Sequence, residues 1–339
     1  MRICLLGHWA VCASTDRRVF VAGSIALASM LAARSVLAQT AQWPSRQIRI
    51  VVPFPPGGLT DAYARLFGDQ LTQQLGASVL VENKTGGGAV IGIDAVAKAP
   101  PDGYTLLVTT TGTVMQNRVL YTKLPYNLDK DLVPITVFPS GPLVVGVAPN
   151  VPANNLNEFV AWAAGKDLSM GSYAPGSYPH MLADTFNRNY GLKIQAVHYR
   201  GEAPMWVDMA TSQLQIAVGS YQAFNTVAQR GIKPIGVTGK YRSPKLPQVA
   251  TLLQQGVSGT LVPLEGGLAL MAPTGTPEAV LRMLSGVVVK GAETEQSAKL
   301  RENFAIPNKP QNLADTRREW DQAVPAWIKA AIDLGVRLD

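Results

Sequence analysis

Two consecutive glycines, Gly57 and Gly58, follow a short apolar strand near the start of the sequence and suit the binding of an anion. β-Branched residues predict the strand at 48–52, and Pro53 ends it because proline cannot donate to a sheet ladder. Behind the glycines, apolar residues recur at helical spacing as far as Leu75. Glycine lets backbone N–H groups approach an anion, with the positive end of the helix behind them. Because the loop holds no lysine and no base, it favours binding over catalysis.

The alternative for this loop is a tight turn between strand and helix, without any ligand. On the first loop alone, the turn is the simpler interpretation. Similar loops recur along the sequence, however, each where a predicted strand ends and a helix begins. These loops lie at 83–88, 110–113, 172–177, 198–201 and 219–222. Ligands of open α/β sheets bind at the carboxyl ends of the strands, so the repetition favours a binding site.

Strands and helices alternate through most of the sequence, which predicts an α/β fold in two lobes. The proline-rich stretch 149–152 marks the predicted passage into the second lobe. We predict a first lobe at 39–148, a second lobe at 149–262, and a return of the chain to the first lobe at 263–339. Within that return, Thr276 is the predicted N-cap of a helix whose first residue is Pro277.

No signature of a common catalytic or nucleotide site occurs in the sequence. The motifs G-x-S-x-G and H-E-x-x-H and the phosphate loop ending in Lys-Ser/Thr are absent. Gly86-x-Gly88 lacks the rest of the dinucleotide fingerprint, since Ile91 stands three residues on and no acid follows at the usual distance. We therefore predict a protein that is not an enzyme and holds no cofactor. A Ser/His/Asp site assembled from distant loops is the enzyme alternative, and no motif supports it.

The first 38 residues indicate a cleaved export signal. A basic pair at 17–18 precedes an apolar run at 19–33, and small residues follow at 36–38. The run is too short to span a bilayer and has Arg34 just behind it, which argues against a membrane anchor. Both a general secretory signal and a twin-arginine signal fit this pattern. We expect a periplasmic protein whose mature chain begins near Gln39.

Cysteine and charge set further limits on the mature chain. Cys4 and Cys12 both lie in the leader, so the mature chain would have no disulfide and no thiol nucleophile. The leader also holds four of the 30 basic and one of the 23 acidic residues, so its removal lowers the net charge from +7 to +4. This mild excess suits a small anionic ligand. It differs from the clustered basic surface of nucleic-acid-binding proteins, so we predict no nucleic-acid partner.

The mature sequence resembles one known family along almost its whole length. The similar segments occur in order at 43–58, 60–61, 81–84, 96–107, 123–126 and 272–277. The first reads W-P-S-R-Q-I-R-I-V-V-P-F-P-P-G-G, and the fourth reads V-A-K-A-P-P-D-G-Y-T-L-L. On these segments the chain resembles the Bug-type extracytoplasmic solute receptors, the substrate-binding components associated with tripartite tricarboxylate transporters.

The resemblance implies an α/β, two-lobed type II periplasmic binding protein fold with a ligand cleft between the lobes. It implies a small carboxylate ligand, such as a di- or tricarboxylate, and membrane transporter subunits as partners. We expect a monomer without a metal ion. From the loops that match the family, the candidate ligand contacts are Phe54, Gly57, Gly58, Leu59, Thr111, Gly112, Thr113, Ser172, Gly176, Ser177, His180, Arg200, Gly219 and Ser220.

The sequence departs from the family pattern near the predicted site. Relatives often carry acids where this chain has Gln215 and Gly219, and a proline where it has His198. A ligand ammonium group would need the acid that is missing at Gly219, so the departure argues against an amino-acid ligand. A sensor that informs a membrane kinase needs the same ligand-closed shape as a transport receptor. The sequence therefore leaves transport and signalling both open.

Several candidates have a purely structural alternative. The hydroxyl candidates lie near predicted helix starts, where capping is the alternative role: Thr111, Thr113, Ser177 and Ser220. Phe54 suits either a cleft wall or the core, and Arg200 either clamps a carboxylate or is solvated. Asp61, in a first helical turn, is expected to interact with the helix dipole rather than with an anion. His180 and His198 lack metal-ligand spacing, so we expect hydrogen-bonding or surface roles.

Overall fold

The computed structural model describes residues 43–338, and the chain from Pro44 onward forms one compact unit. The predicted export signal lies outside the described residues. Among residues 43–338, no helix has the length and apolar character needed to cross a membrane.

Two five-stranded sheets organise the described part of the chain. Their strands are β1 (Ile48–Val52), β2 (Val79–Asn83), β3 (Thr105–Thr110), β4 (Leu132–Pro139), β5 (Val144–Val147), β6 (Asp167–Ser172), β7 (Lys193–His198), β8 (Ile216–Gly219), β9 (Lys233–Val237) and β10 (Gly267–Pro273). Two short 3₁₀ turns, at Gly87–Ala89 and Ala228–Arg230, supplement the α-helices.

The α-helices follow the strands in near-regular alternation. They are α1 (Leu59–Leu75), α2 (Val90–Ala97), α3 (Thr111–Leu120), α4 (Leu128–Asp131), α5 (Leu156–Ala163), α6 (Tyr178–Tyr190), α7 (Glu202–Ala210), α8 (Tyr221–Asn225), α9 (Glu278–Gly291), α10 (Glu295–Asn303) and α11 (Leu313–Leu334). The alternation confirms the α/β class that the sequence predicts.

The first sheet has the strand order β2-β1-β3-β10-β4. β1 pairs in parallel with β2 and β3, whereas β10 runs antiparallel to both of its neighbours. Ile50 and Val51 are consecutive and therefore point to opposite faces, and both are 0% exposed. Both faces of the sheet are thus covered, which explains the unbroken apolar run at 48–52.

The second sheet repeats this plan in the order β7-β6-β8-β5-β9. β6 pairs in parallel with β7 and β8, and β5 runs antiparallel to β8 and β9. Ile216 and Ala217, consecutive in β8, are again both fully buried. Each sheet thus has four strands that run in one direction, with their carboxyl ends at one edge, and a single strand, β10 or β5, that runs in the opposite direction.

The chain passes from the first sheet to the second between β4 and β5. β5 belongs to the second sheet, so this passage lies between Pro139 and Val144, before the proline-rich stretch at 149–152. An apolar run such as 143–148 suits the core of either sheet, and only the strand pairing distinguishes them. The return lies between Val237 and Gly267, a stretch that contains the predicted boundary at Val262. The division into lobes by residue number stays a prediction.

The ends of two helices can be compared with the capping residues that the sequence predicts. α1 ends as predicted at Gly76, which is left-handed with φ of 65° and donates its N–H to the Thr72 carbonyl. The predicted start of α9 is wrong by one residue. Pro277 occupies the N-cap position, and the Thr276 hydroxyl donates to the Pro273 carbonyl instead of capping the helix.

Candidate functional site

The two loop-bearing sheet edges lie close together because a very short segment joins them. β4 ends at Pro139 beside Gly267, at the same edge of the first sheet as the carboxyl end of β3. β5 begins at Val144, which is paired with Gly219 at the carboxyl end of β8. Five residue steps separate Pro139 from Val144, so the two edges lie at most about 18 Å apart at this point. The strand-end loops of both sheets therefore border one cleft.

Two segments connect the sheets: residues 140–143 lead from β4 to β5, and residues 238–266 lead from β9 back to β10. These two crossings are hydrogen-bonded to each other at both ends. Leu143 donates its N–H to Thr238 Oγ1 at 2.9 Å, and Thr238 donates its own N–H to the Leu143 carbonyl at 3.0 Å. At the first sheet, Ser140 Oγ donates to the Gly266 carbonyl at 2.7 Å. Two chain segments thus leave each sheet side by side, an arrangement that can act as a hinge.

Asp61 shapes the loop that follows β1. Its carboxylate accepts hydrogen bonds from the Gly57 N–H at 3.0 Å, from Arg65 Nε and Nη2 at 3.0 Å, and from Asn83 Nδ2 at 3.0 Å. The pKa of the Asp61 carboxyl is lowered, because these hydrogen bonds outweigh burial, which alone raises it. Asp61 is 4% exposed, and its hydrogen bonds stabilise the loop. The Gly57 N–H, predicted to face a ligand, is already occupied.

The next two amides of the same loop have no partner. α1 has no side-chain cap, and neither the Gly58 nor the Leu59 N–H donates to any residue in the described range. Gly57 needs glycine because its φ is 92°, whereas Gly58 has φ of −84°. Both glycines are exposed, and a Cβ on either would meet nothing within 4 Å. The loop therefore presents free donors to open space at a helix N-terminus.

The residues after β3 mostly form hydrogen bonds or packing contacts with other residues of the protein. Thr110, at the N-cap of α3, accepts the Thr113 N–H at 3.4 Å and donates its hydroxyl to Thr113 Oγ1 at 2.6 Å. Thr111 Oγ1 accepts the Gly267 N–H at 3.1 Å. Gly112 lies against α11, since a Cβ there would be 3.1 Å from Trp327 Cζ3. Only Thr113 keeps both partial exposure and a hydroxyl hydrogen for another acceptor.

In the second sheet, the serines after β6 hydrogen-bond each other. Ser172 Oγ donates to the Ala174 carbonyl and lies 2.8 Å from Ser177 Oγ, and Ser172 is fully buried. Ser177 occupies the N-cap position of α6, but its hydroxyl accepts no amide of that helix. Gly176, with φ of 71°, approaches the first lobe, because a Cβ there would overlap with Leu120 Cδ1. The loop 172–177 is thus a contact between the two lobes.

The two histidines pack against each other beside this loop. Their ring centroids lie 4.8 Å apart in an edge arrangement, and His180 Nδ1 accepts the Gly176 N–H at 2.9 Å. Nδ1 must be unprotonated to accept, so Nε2 carries the hydrogen. Burial, together with the neighbouring His198, lowers the pKa of His180 to about 4. His180 is therefore a neutral hydrogen-bonding group, as expected. No cluster of three or more potential metal ligands occurs among residues 43–338.

Glu202 and Ser220 connect the loops after β7 and β8. Glu202 Oε2 accepts the Ser220 N–H at 3.0 Å and the Ser220 hydroxyl at 2.6 Å. Ser220 also caps α8 by accepting the Ala223 N–H at 3.3 Å. Gly219 has no room for a side chain, since a Cβ would lie 2.8 Å from Trp206 Nε1 and 3.2 Å from Glu202 Cδ. Ser220 thus has a capping role, which is the structural alternative to ligand binding at this position.

Phe54 and Arg200 differ in solvent exposure and in their contacts with the rest of the protein. Phe54 is half-buried against the core, and its carbonyl accepts from Asn83 Nδ2 at 3.0 Å. Arg200 is exposed and makes no hydrogen bond or ion pair with any described residue. Its guanidinium is therefore free beside the second-lobe edge.

A surface cavity of about 80 Å³ lies away from the strand ends. It is bordered by α6, α11 and residues 258–261, and its charged side chains are already paired. Arg188 contacts Asp184 at 2.7 Å, and Asp333 contacts Lys329 at 3.0 Å. This cavity offers no free polar group comparable to the amides of the first loop, so we place the site at the strand ends.

Comparisons with known proteins agree with this architecture. The model of a family described as the tripartite tricarboxylate transporter family receptor, TctC, matches residues 63–322. The chain belongs to this family. The UPF0065 protein in the tcbD-tcbE intergenic region of Pseudomonas sp. (strain P51) is 34% identical over 313 residues, which cover 89% of this chain and 91% of that protein. Protein BugT of Bordetella pertussis is 29% identical, with coverage of 87% and 91%.

Solved structures of similar proteins confirm the fold of this receptor. Rpa4515 of R. palustris, solved with adipate, is 30% identical with a TM-score of 0.78 over 87% of this chain and 99% of that one. The periplasmic binding protein BugD is 26% identical with a TM-score of 0.75 over 87% and 99%. The resemblance to Bug-type receptors is thereby confirmed. The family comprises binding proteins rather than enzymes, as the sequence predicts.

Three further residues border the candidate site, and the sequence alone does not indicate them: Asn83, Glu202 and Trp206. Asn83 stands at the end of β2, a position that could have indicated a role in the loops. Glu202 is the first residue of α7 and looks from sequence like an ordinary helix-dipole partner. Only the packing of β8 against α7 shows that its carboxyl group lies beside Gly219.

Proposed function

We propose that this receptor captures a small organic carboxylate in the cleft between the two strand-end edges and delivers it to tripartite tricarboxylate-type membrane subunits. The observation that carries the proposal is the pair of unpartnered amides at Gly58 and Leu59, exposed at the start of α1. Family membership and the adipate bound to Rpa4515, a relative that is 30% identical, support a carboxylate ligand.

The ligand carboxylate would be held chiefly by neutral donors. The first loop supplies the amides of Gly58 and Leu59, and Thr113 supplies a hydroxyl from the same lobe. A hydrogen bond from a neutral donor to a charged acceptor contributes roughly 1.5–3 kcal/mol. The two segments that connect the sheets can bend, and bending brings the two strand-end edges closer together. A ligand that contacts both edges stabilises this closed arrangement.

A thermal-shift screen of di- and tricarboxylates, followed by native mass spectrometry of gently purified protein, tests this function. We expect a bound species with the mass of a small organic acid, and a rise in the unfolding temperature with at least one member of the panel. NMR of that ligand with stoichiometric protein should show it unchanged over time. A panel without any stabilising acid, together with an empty protein by mass spectrometry, contradicts the proposal.

The proposal includes export of the protein to the periplasm. The basic pair at 17–18, the apolar run at 19–33 and the small residues at 36–38 support a cleaved leader. We expect N-terminal sequencing of the exported protein to begin at or near Gln39. Recovery of Met1 on the exported protein contradicts cleavage.

A further inference from the structure

The carboxyl end of β8 holds an acidic group without a basic partner. Glu202 projects from the start of α7 toward Gly219, and its described hydrogen bonds are the two from Ser220 to Oε2. No lysine or arginine in the described range forms an ion pair with it. Glu202 as a residue is half-buried, and its carboxyl group lies at the carboxyl end of β8 beside Gly219.

A second polar group borders the same place. Trp206 is fully buried, and its Nε1 has no hydrogen-bond partner among the described residues. A Cβ at Gly219 would lie 2.8 Å from that nitrogen and 3.2 Å from Glu202 Cδ, so both groups lie directly against the glycine. Buried N–H groups are ordinarily paired. This end of β8 thus holds an unpaired N–H group and a carboxyl group whose described hydrogen bonds come from Ser220 alone.

The environment of Glu202 favours a ligand that brings a hydrogen-bond donor. Burial raises the pKa of Glu202, and the two hydrogen bonds from Ser220 act in the opposite direction. The phenol of Tyr173 lies near enough that Glu202 contributes, after burial, to raising its pKa. A carboxylate in such surroundings repels a second bare carboxylate and is stabilised by an ammonium or hydroxyl group.

We propose that Glu202 determines the specificity of the cleft, and that its carboxylate selects carboxylates bearing an ammonium or hydroxyl group over plain dicarboxylates. With Glu202 at this place, an amino-acid ligand is favoured although position 219 is a glycine. The inference rests on the proposed function, because it concerns the same cleft.

Matched ligands that differ in one substituent test this inference. Calorimetry compares succinate with malate and aspartate, and adipate with 2-hydroxyadipate and 2-aminoadipate. For at least one chain length, we expect wild-type protein to bind a substituted acid at least about tenfold more tightly than the plain one. In Glu202→Gln that ratio should fall to about threefold or less, with tighter binding of the plain dicarboxylate.

Two further variants complete the test. Glu295→Gln changes an exposed acid at the start of α10 and should keep the wild-type ratio. Glu202→Ala should lose the preference as Glu202→Gln does, and it provides a second measurement if the amide variant is poorly folded by circular dichroism. An unchanged ratio in both Glu202 variants, or a wild-type protein that binds plain and substituted acids equally, overturns the inference alone. A wild-type protein that binds none of the six acids contradicts both the inference and the proposed function.

Discussion

His180 shows how one side chain of the cleft depends on its protonation state. Its Nδ1 accepts the Gly176 N–H, and a protonated imidazole has no lone pair for that bond. Gly176 in turn packs against Leu120 of the first lobe. Protonation of His180 would therefore weaken the segment through which the second lobe contacts the first.

The lowered pKa of His180 predicts a pH-dependent stability. An unfolded histidine titrates near 6.5, whereas the folded value is about 4. Between these values the unfolded chain binds more protons, so the free energy of unfolding must fall as pH falls from about 6.5 to 4. We expect His180→Asn, whose side-chain oxygen can still accept from Gly176, to show a shallower fall of unfolding temperature over this range.

The neighbouring histidine provides a graded comparison for this measurement. Burial lowers the pKa of His198, and His198 helps to lower the pKa of His180, so His198→Asn should also make the decline shallower, but by less than His180→Asn does. Parallel curves for wild type and His180→Asn would show that His180 does not contribute to the pH dependence.

Most hydroxyl groups at the strand ends already form hydrogen bonds within the protein. Thr111, Ser172 and Ser220 all donate to or accept from protein groups at 3.1 Å or less. Their types and positions could be predicted from sequence, because hydroxyls follow strands and precede helices. Their partners could not, because Gly267 and Glu202 come from other segments of the chain.

At the scale of elements, the sequence predicts what its periodicity and turn residues determine. The strand at 48–52 and the helix that stops at Gly76 are both found as predicted, since β-branched runs and a left-handed glycine are local signals. The assignment of β5 to a sheet depends on pairing with β8 and β9, which no local signal specifies. For the same reason, the carboxyl group of Glu202 beside Gly219 could not be predicted.

The long helix α11 connects elements of both lobes through Trp327. A Cβ at Gly112 on α3 would lie 3.1 Å from the indole, and the Tyr178 ring on α6 lies 6.5 Å from it in an edge arrangement. Trp327 is 4% exposed. We expect Trp327→Ala to lower the free energy of unfolding by about 3–5 kcal/mol, because it leaves a cavity between three helices. Chemical denaturation measures this change.

An exposed residue on the same helix is the matched control. Ile332 is 58% exposed, so Ile332→Ala should change the free energy of unfolding by only about 0.5 kcal/mol. Equal effects of the two substitutions would contradict the role given to Trp327.

At the scale of the whole molecule, the two sheets are joined where their strand-end loops lie. The outgoing crossing has only residues 140–143 between β4 and β5, and its ends are hydrogen-bonded to the returning segment at Thr238 and Gly266. Bending at this pair of segments changes the distance between the loops with little effect on either sheet. The first lobe contributes free amides, and the second contributes Glu202 and a free Arg200.

The central claim is that backbone amides of the first loop hold the ligand carboxylate, and calorimetry on two variants at one position tests it most directly. Gly58→Pro removes the N–H, and Gly58→Ala keeps it. The φ of −84° and the open space around Gly58 make both changes compatible with the fold. The ligand in this test is a carboxylate that binds wild-type protein. We predict that Gly58→Pro weakens its binding at least about tenfold and that Gly58→Ala weakens it at most about threefold. Arg200→Ala should weaken binding less than Gly58→Pro does. Normal binding by Gly58→Pro together with loss of binding by Arg200→Ala would show that a charged side chain holds the ligand, which would contradict this account.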